Sequence, residues 1–136
     1  ISSLADLAGK AVGVQTDSSA EAALKDNAEL SATFGTLQTT PDYNTAFMQL
    51  ESGAVDAVAC DLSIAQYQMS AKPGVYTQLS DELSSEHYAV GVKKGNTELA
   101  QKITDTLKAM NEDGTVKQLC EKYADYGLSY ENWILK

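Results

Sequence analysis

Two stretches decide how this chain of 136 residues is read: Val12-Gly13-Val14-Gln15-Thr16-Asp17-Ser18-Ser19 and Val55-Asp56-Ala57-Val58-Ala59-Cys60-Asp61. Each is an apolar run that ends in polar residues where a helical pattern begins. Apolar runs without alternation read as strands buried on both faces, as in a parallel sheet. Both polar endings then lie on the carboxyl edge of one sheet, where open α/β sheets bind ligands. The first ending offers helix N-terminal N–H groups and hydroxyls, which suit a carboxylate. The second offers the carboxylate of Asp61, which suits an ammonium group. Together they match the two ends of a free amino acid.

Outward from these stretches, strands and helices alternate. Residues 3–10 form a lead-in turn, 11–15 a strand, and about 19–25 a helix ending near Asn27, with Ala20, Ala23 and Leu24 inward. Residues 33–37 are expected as a second strand. Thr40-Pro41-Asp42 opens a helix with proline in its first turn; Tyr43, Ala46, Phe47 and Leu50 face inward, and Ser52-Gly53 closes it. The strand 55–60 leads into a helix over 61–70 with Leu62, Ala65 and Met69 inward. After the Lys72-Pro73-Gly74 turn come a short edge strand at 75–79 and an extended segment at 88–92. Two amphipathic helices finish the chain, about 98–111 and 115–126, split by Asp113-Gly114. This order indicates an α/β fold with a mainly parallel sheet flanked by helices, plus a C-terminal helical extension. The broad stripes Leu99, Ile103, Leu107, Met110 and Val116, Leu119, Cys120, Tyr123 need a surface to cover.

The length suits one compact domain and excludes two large ones. With 43% hydrophobic residues the composition is that of a globular protein. No apolar run is long enough to cross a bilayer, and no signal pattern is seen at Ile1, so the chain is expected to start in the mature part or to have been cut. The net charge of −9 argues against a nucleic-acid partner. All ten basic residues are lysines. Without arginine there is no planar fork for a bidentate grip on a carboxylate, so any such clamp must come from elsewhere. Cys60 and Cys120 lack metal-ligand spacing and His87 is the sole histidine, so neither a zinc site nor any other metal or cofactor is expected. Nothing in the spacing asks for a disulfide. Cys120 falls on an apolar stripe, whereas Cys60, beside Asp61, either lines a pocket or fills space.

Taken singly, these residues have plainer readings. An acid before an apolar helix, such as Asp61, most often only caps it, and Ser18 and Ser19 can do the same for the first helix. Asp56 reads as a local pair, Tyr43 as core and Trp133 as an anchor. No G-x-S-x-G elbow supports a serine triad with His87, so no catalytic residue is assigned.

The conjunction carries more weight than any one residue. Leu4-Ala-Asp-Leu-Ala-Gly-Lys10, Val12-Gly-Val-Gln15, Ser18-Ser-Ala-Glu21, Leu50-Glu-Ser-Gly53 running into Val55-Asp-Ala-Val58, Asp61, Tyr88-Ala-Val-Gly-Val-Lys-Lys-Gly95, and the segment from Leu107 to Lys122 with Asp113-Gly-Thr115 resemble the polar amino-acid solute-binding proteins of ABC importers, family 3 of the bacterial extracellular solute-binding proteins. The resemblance spans nearly all of residues 4–125. It implies two α/β lobes that close over an amino acid. Residues 1–86 map onto the second lobe, 87–95 onto a hinge crossover strand, and 96–136 onto helices that complete a first lobe most of which would precede Ile1. By the same resemblance Ser18 and Ser19 hold the ligand's carboxylate and Asp61 its ammonium, while Gln15, Thr16 and Cys60 are available to its side chain, as is the loop 39–43. The clamping arginine would belong to the first lobe. The implied partners are a free, polar L-amino acid and an ABC permease. The location is extracytoplasmic: the periplasm, or the cell surface through a lipidated N-terminus. The uncovered helix stripes also open a route to a homodimer. A sensing domain of a receptor or regulator, or a dehydratase-like enzyme on the same scaffold, are the alternatives. One departure is Asp17, where many relatives carry glycine; its charge would oppose a carboxylate unless it points to solvent or to a lysine.

Overall fold

The computed structural model describes residues 1–135 and divides the chain into two compact units, Ile1–Ser85 and one beginning at Glu86. In the first unit a 3-10 turn (Leu4–Leu7) leads to β1 (Ala11–Gln15), α1 (Ser19–Asp26), α2 (Ala28–Ser31), β2 (Thr36–Thr40), α3 (Tyr43–Ser52), β3 (Ala57–Ala59) and α4 (Leu62–Ala71). The three strands form one wholly parallel sheet in the order β2-β1-β3, with Gln15 opposite Thr40 and Val14 opposite Ala59. All three carboxyl ends therefore share one edge.

The continuous apolar run of β1 follows from its central place. Val12 and Val14 lie in a buried cluster with Leu7, Ala20, Leu24 and Ala59, against which Leu30, Phe34, Leu37 and Leu83 pack. Side chains alternate along a strand, so Gly13 faces the other way, and a Cβ there would come within 3.4 Å of Val55. On β2, polar threonines suit an edge strand. Gly35, just before it, passes so close to the chain that a Cβ would stand 2.5 Å from the carbonyl oxygen of Gly9.

Several boundaries differ from the sequence reading, for identifiable reasons. The second strand is displaced from 33–37 to Thr36–Thr40, because α2 and the turn after it occupy the residues before it. The third strand is trimmed to Ala57–Ala59. Asp56 instead turns its carboxylate to the Ala11 N–H at 2.8 Å, a partner 45 residues away in sequence rather than the local pair expected of it. Pro41 stands outside α3, whose N-cap is Asp42 accepting from the Thr45 N–H; Gly53, at φ 76°, closes the helix in the left-handed region as expected. Of the α4 stripe, Leu62 is 45% exposed rather than inward. Residues 75–79 form no strand. There Tyr76 stacks edge-on against Phe47 and its hydroxyl donates to Glu51, which also pairs with Lys72 at 2.5 Å, so this segment is anchored by side chains instead of a ladder.

In the second unit, residues 88–92, expected as part of a hinge crossover strand, form no strand; α5 (Thr97–Glu112) and α6 (Thr115–Lys122) follow, then two 3-10 turns. Asn96 caps α5 through the Leu99 N–H, and Gly114, at φ 84°, turns the chain into α6. The expected final helix thus ends at Lys122 and continues only as a 3-10 turn, Ala124–Tyr126. The Tyr130 hydroxyl donates to Asn111 at 2.8 Å, and Trp133 Nε1 to the Leu135 carbonyl at 2.7 Å. Cys120 is half-buried, and both cysteines are free thiols. No helix among the described residues is long and apolar enough to cross a membrane.

Candidate functional site

The sheet's carboxyl edge gathers the polar junctions. At the end of β1 the chain makes a tight turn: the Ser18 hydroxyl donates to the Gln15 carbonyl at 2.8 Å and accepts from the Glu21 N–H at 3.1 Å, so Ser18 closes the turn and caps α1 together. Thr16 is bound sideways to β2, its N–H and its hydroxyl both donating to the Thr40 carbonyl at 2.9 and 3.1 Å. Gln15 Nε2 reaches the Pro41 carbonyl at 3.3 Å. Thr16, Asp17 and Ser19 along this edge are exposed.

At the end of β3 the behaviour of Asp61 is informative. It occupies the N-cap position of α4, one residue outside the helix expected to begin with it, yet its side chain does not cap that helix. Instead Oδ1 accepts the Ser19 hydroxyl at 3.2 Å, across 42 residues of sequence. The hydroxyl end of the first junction and the carboxylate of the second are thereby brought into contact. Cys60, half-buried beside Asp61, has its thiol pushed up to about 12, first by burial and then by the neighbouring Asp61 charge. It remains a neutral thiol rather than a nucleophile.

Two contributors were not picked out from sequence. Thr40 is buried, its hydroxyl bonded to the carbonyls of Val14 at 3.3 Å and Asp42 at 3.0 Å, so within the loop 39–43 this residue braces the edge from below. Its place opposite the end of β1 comes from the sheet register, which the sequence reading of a strand at 33–37 did not contain. Glu21, also buried, accepts the Asp17 N–H; the S-x-x-E spacing from Ser18 was the hint. Asp17 itself is exposed and adopts φ 58°, a left-handed conformation that glycine takes most easily. Glycine, which the resemblance implies at this position, suits that geometry; aspartate is the departure, and it is exposed. Asp42 is held below the usual carboxylate range by the Thr45 N–H and hydroxyl. Among the described residues no group of three or more His, Cys, Asp and Glu side chains is placed to hold a metal ion.

The model of the bacterial extracellular solute-binding proteins, family 3, matches residues 3–126. The chain belongs to this family. Among its relatives, the L-cystine-binding protein of Escherichia coli is 29% identical over 119 residues, covering 87% of this chain and 43% of the relative. The ABC transporter glutamine-binding protein of Bacillus subtilis is 34% identical over 82 residues, covering 60% of this chain and 30% of the relative. Among solved structures, an ancestral arginine-binding protein bound to arginine superposes with a TM-score of 0.77 at 37% identity, covering 90% of this chain and 54% of that one. The family-3 chain thus spans about half the length of its solved neighbour and less than half of these two curated relatives. The fold is that of the periplasmic amino-acid binders, and the relatives are binding proteins, not enzymes.

Proposed function

We propose that this family-3 chain is the second lobe, with helices completing the first, of the extracytoplasmic amino-acid-binding component of an ABC importer. In this reading the lobe takes the ligand's α-carboxylate at Ser18 and Ser19, on the N–H groups at the start of α1 and the Ser19 hydroxyl, while the Ser18 hydroxyl holds the turn. The α-ammonium goes to Asp61. Gln15, Thr16 and Cys60 border the ligand's side chain. The observation that carries the reading is the Ser19 to Asp61 contact of 3.2 Å. An anion-accepting helix start and a cation-accepting carboxylate stand side by side, and the two charges of a free α-amino acid are likewise separated by a single carbon. Until ligand arrives, the Ser19 hydroxyl serves Asp61; an incoming ammonium takes its place and releases the hydroxyl to the carboxylate. Closure of the two lobes over the ligand then produces the form that a membrane permease recognises. Polar amino acids are the expected ligands, in keeping with the cystine, glutamine and arginine named for the relatives.

Calorimetry on the full-length protein with L-arginine and L-glutamine tests this. Asp61→Asn keeps the shape and an acceptor for Ser19 but removes the charge, and affinity should fall by about 2–5 kcal/mol. An unchanged affinity would reject the ammonium assignment. The lobe assignment has its own test: residues 1–136 alone, with one wall of the cleft and no arginine, should bind at about millimolar or weaker. Micromolar binding by a verified monomer would overturn it.

A further inference from the structure

Glu21 is a buried carboxylate, 7% exposed, in the first turn of α1. At this position a carboxylate ordinarily turns back to the N–H of the capping residue. Here Oε2 instead accepts the N–H one residue earlier, from Asp17, at 2.8 Å, and Oε1 meets Lys25 Nζ at 2.9 Å. Asp17 is, among the described residues, the single non-glycine residue with positive φ. Its left-handed backbone reverses the chain between Thr16, which is fastened to β2, and Ser18, which caps α1. Aspartate visits that region more readily than most residues, but its side chain still crowds its own backbone, and an outside partner steadies the conformation. Glu21 supplies it. Lys25 offsets the charge that would otherwise lie buried beneath a site meant for an anion.

We propose that Glu21 is a positioning residue for the ligand edge: by holding the Asp17 N–H it fixes the left-handed turn that presents Thr16, Ser18 and Ser19 to the ligand. This rests on the function proposed above. Glu21 touches no ligand in this scheme and acts only through the turn.

The test compares Glu21→Gln, which keeps an acceptor for Asp17, with Glu21→Ala, which keeps none. Two readouts are taken on the full-length protein: exchange protection of the Asp17 amide with its φ-dependent scalar coupling, and calorimetric affinity for L-arginine and L-glutamine. Glu21→Ala should lose about tenfold in both protection and affinity, the worth of one hydrogen bond, and its Asp17 coupling should move towards that of negative φ. Glu21→Gln should stay within about threefold of the parent, also on the scale of a single hydrogen bond. If Glu21→Ala does not fold, Glu21→Met, similar in length and without a strong acceptor, replaces it. An Asp17 amide still protected in the alanine or methionine variant overturns the proposal, as does equal loss of affinity in the glutamine and alanine variants. A parent protein that binds neither amino acid defeats the proposed function instead, and the hold of Glu21 on the turn is then decided by the Asp17 amide alone.

Discussion

The two units of the chain dispose of apolar surface differently. The first buries Leu7, Val12, Val14, Ala20, Leu24, Ala46, Phe47, Val55 and Ala59. In the second, among the described residues, Val116 is the one buried hydrophobic side chain, while Leu99, Leu119, Tyr123, Tyr126, Leu128 and Ile134 are exposed. A shallow groove of about 310 Å³ on α5, lined by Leu99, Lys102, Ile103, Thr106 and Leu107, belongs to the same uncovered face. Both units are amphipathic in sequence. An apolar stripe says that a face must be covered, but it does not say by what. A sheet with helices on it answers the question within itself, and a helical hairpin does not.

The strongest test of this contrast is truncation of one side chain in each unit. Leu24 is 1% exposed, and Leu24→Ala should cost about 2–5 kcal/mol by urea unfolding. Ile103→Ala, at a half-buried site, should cost under about 1 kcal/mol, because less apolar area returns to water. Equal costs would break the comparison. Backbone crowding gives a smaller effect. Gly35→Ala drives a methyl group into the Gly9 carbonyl and should destabilise by roughly 1–3 kcal/mol, whereas Gly91→Ala, with nothing within 4 Å, should leave the same unfolding midpoint unmoved. The exposed stripes lead to a third expectation: residues 1–136 should self-associate through the C-terminal helices, and Leu107→Glu should dissociate the dimer. A monomer by light scattering across a concentration series would sink it.

The smallest effect is one of pH. Glu21 is held below its ordinary value of 4.5 by hydrogen bonds from Lys25 and then the Asp17 N–H, and Glu51 likewise by Lys72 and then Tyr76. A carboxyl whose pKa is lower in the folded state stabilises above its unfolded pKa, and that stability is lost as pH falls through the folded value. The urea midpoint of the first unit should therefore decline as pH falls from 4.5, and Glu21→Gln should make the decline shallower. An identical profile for the variant would remove Glu21 from the account.

Much of this was legible from residues alone. The run Ala11 to Gln15 was readable to the residue because a central strand must be apolar on both faces. The ends of α3 were nearly so, because Asp42 and Gly53 carry their capping chemistry locally. Residues 75–79 misled, since the Tyr76 side chain finds Phe47 and Glu51 and the segment joins no ladder. At the candidate site the residue types and the two junctions were visible, but not their contact. That Asp61 turns away from its own helix to Ser19 depends on strand order, which no local pattern encodes. Glu21 was hidden for a similar reason: its use depends on the left-handed turn at Asp17, and aspartate does not announce that conformation as glycine would.

Wholly parallel pairing also bears on how the edge comes into being. None of the sheet can form as a local hairpin, because parallel neighbours need a crossover between them. Val14 and Thr40 meet across 26 residues, Ala11 and Asp56 across 45. Each closure costs chain entropy before any contact repays it, which makes such a topology slow to assemble. The Ser19 to Asp61 contact spans both crossovers and can form only when the last strand has docked. The two polar junctions therefore meet only as the sheet is completed, and a chain still on its way to the native state has not yet brought Asp61 to Ser19.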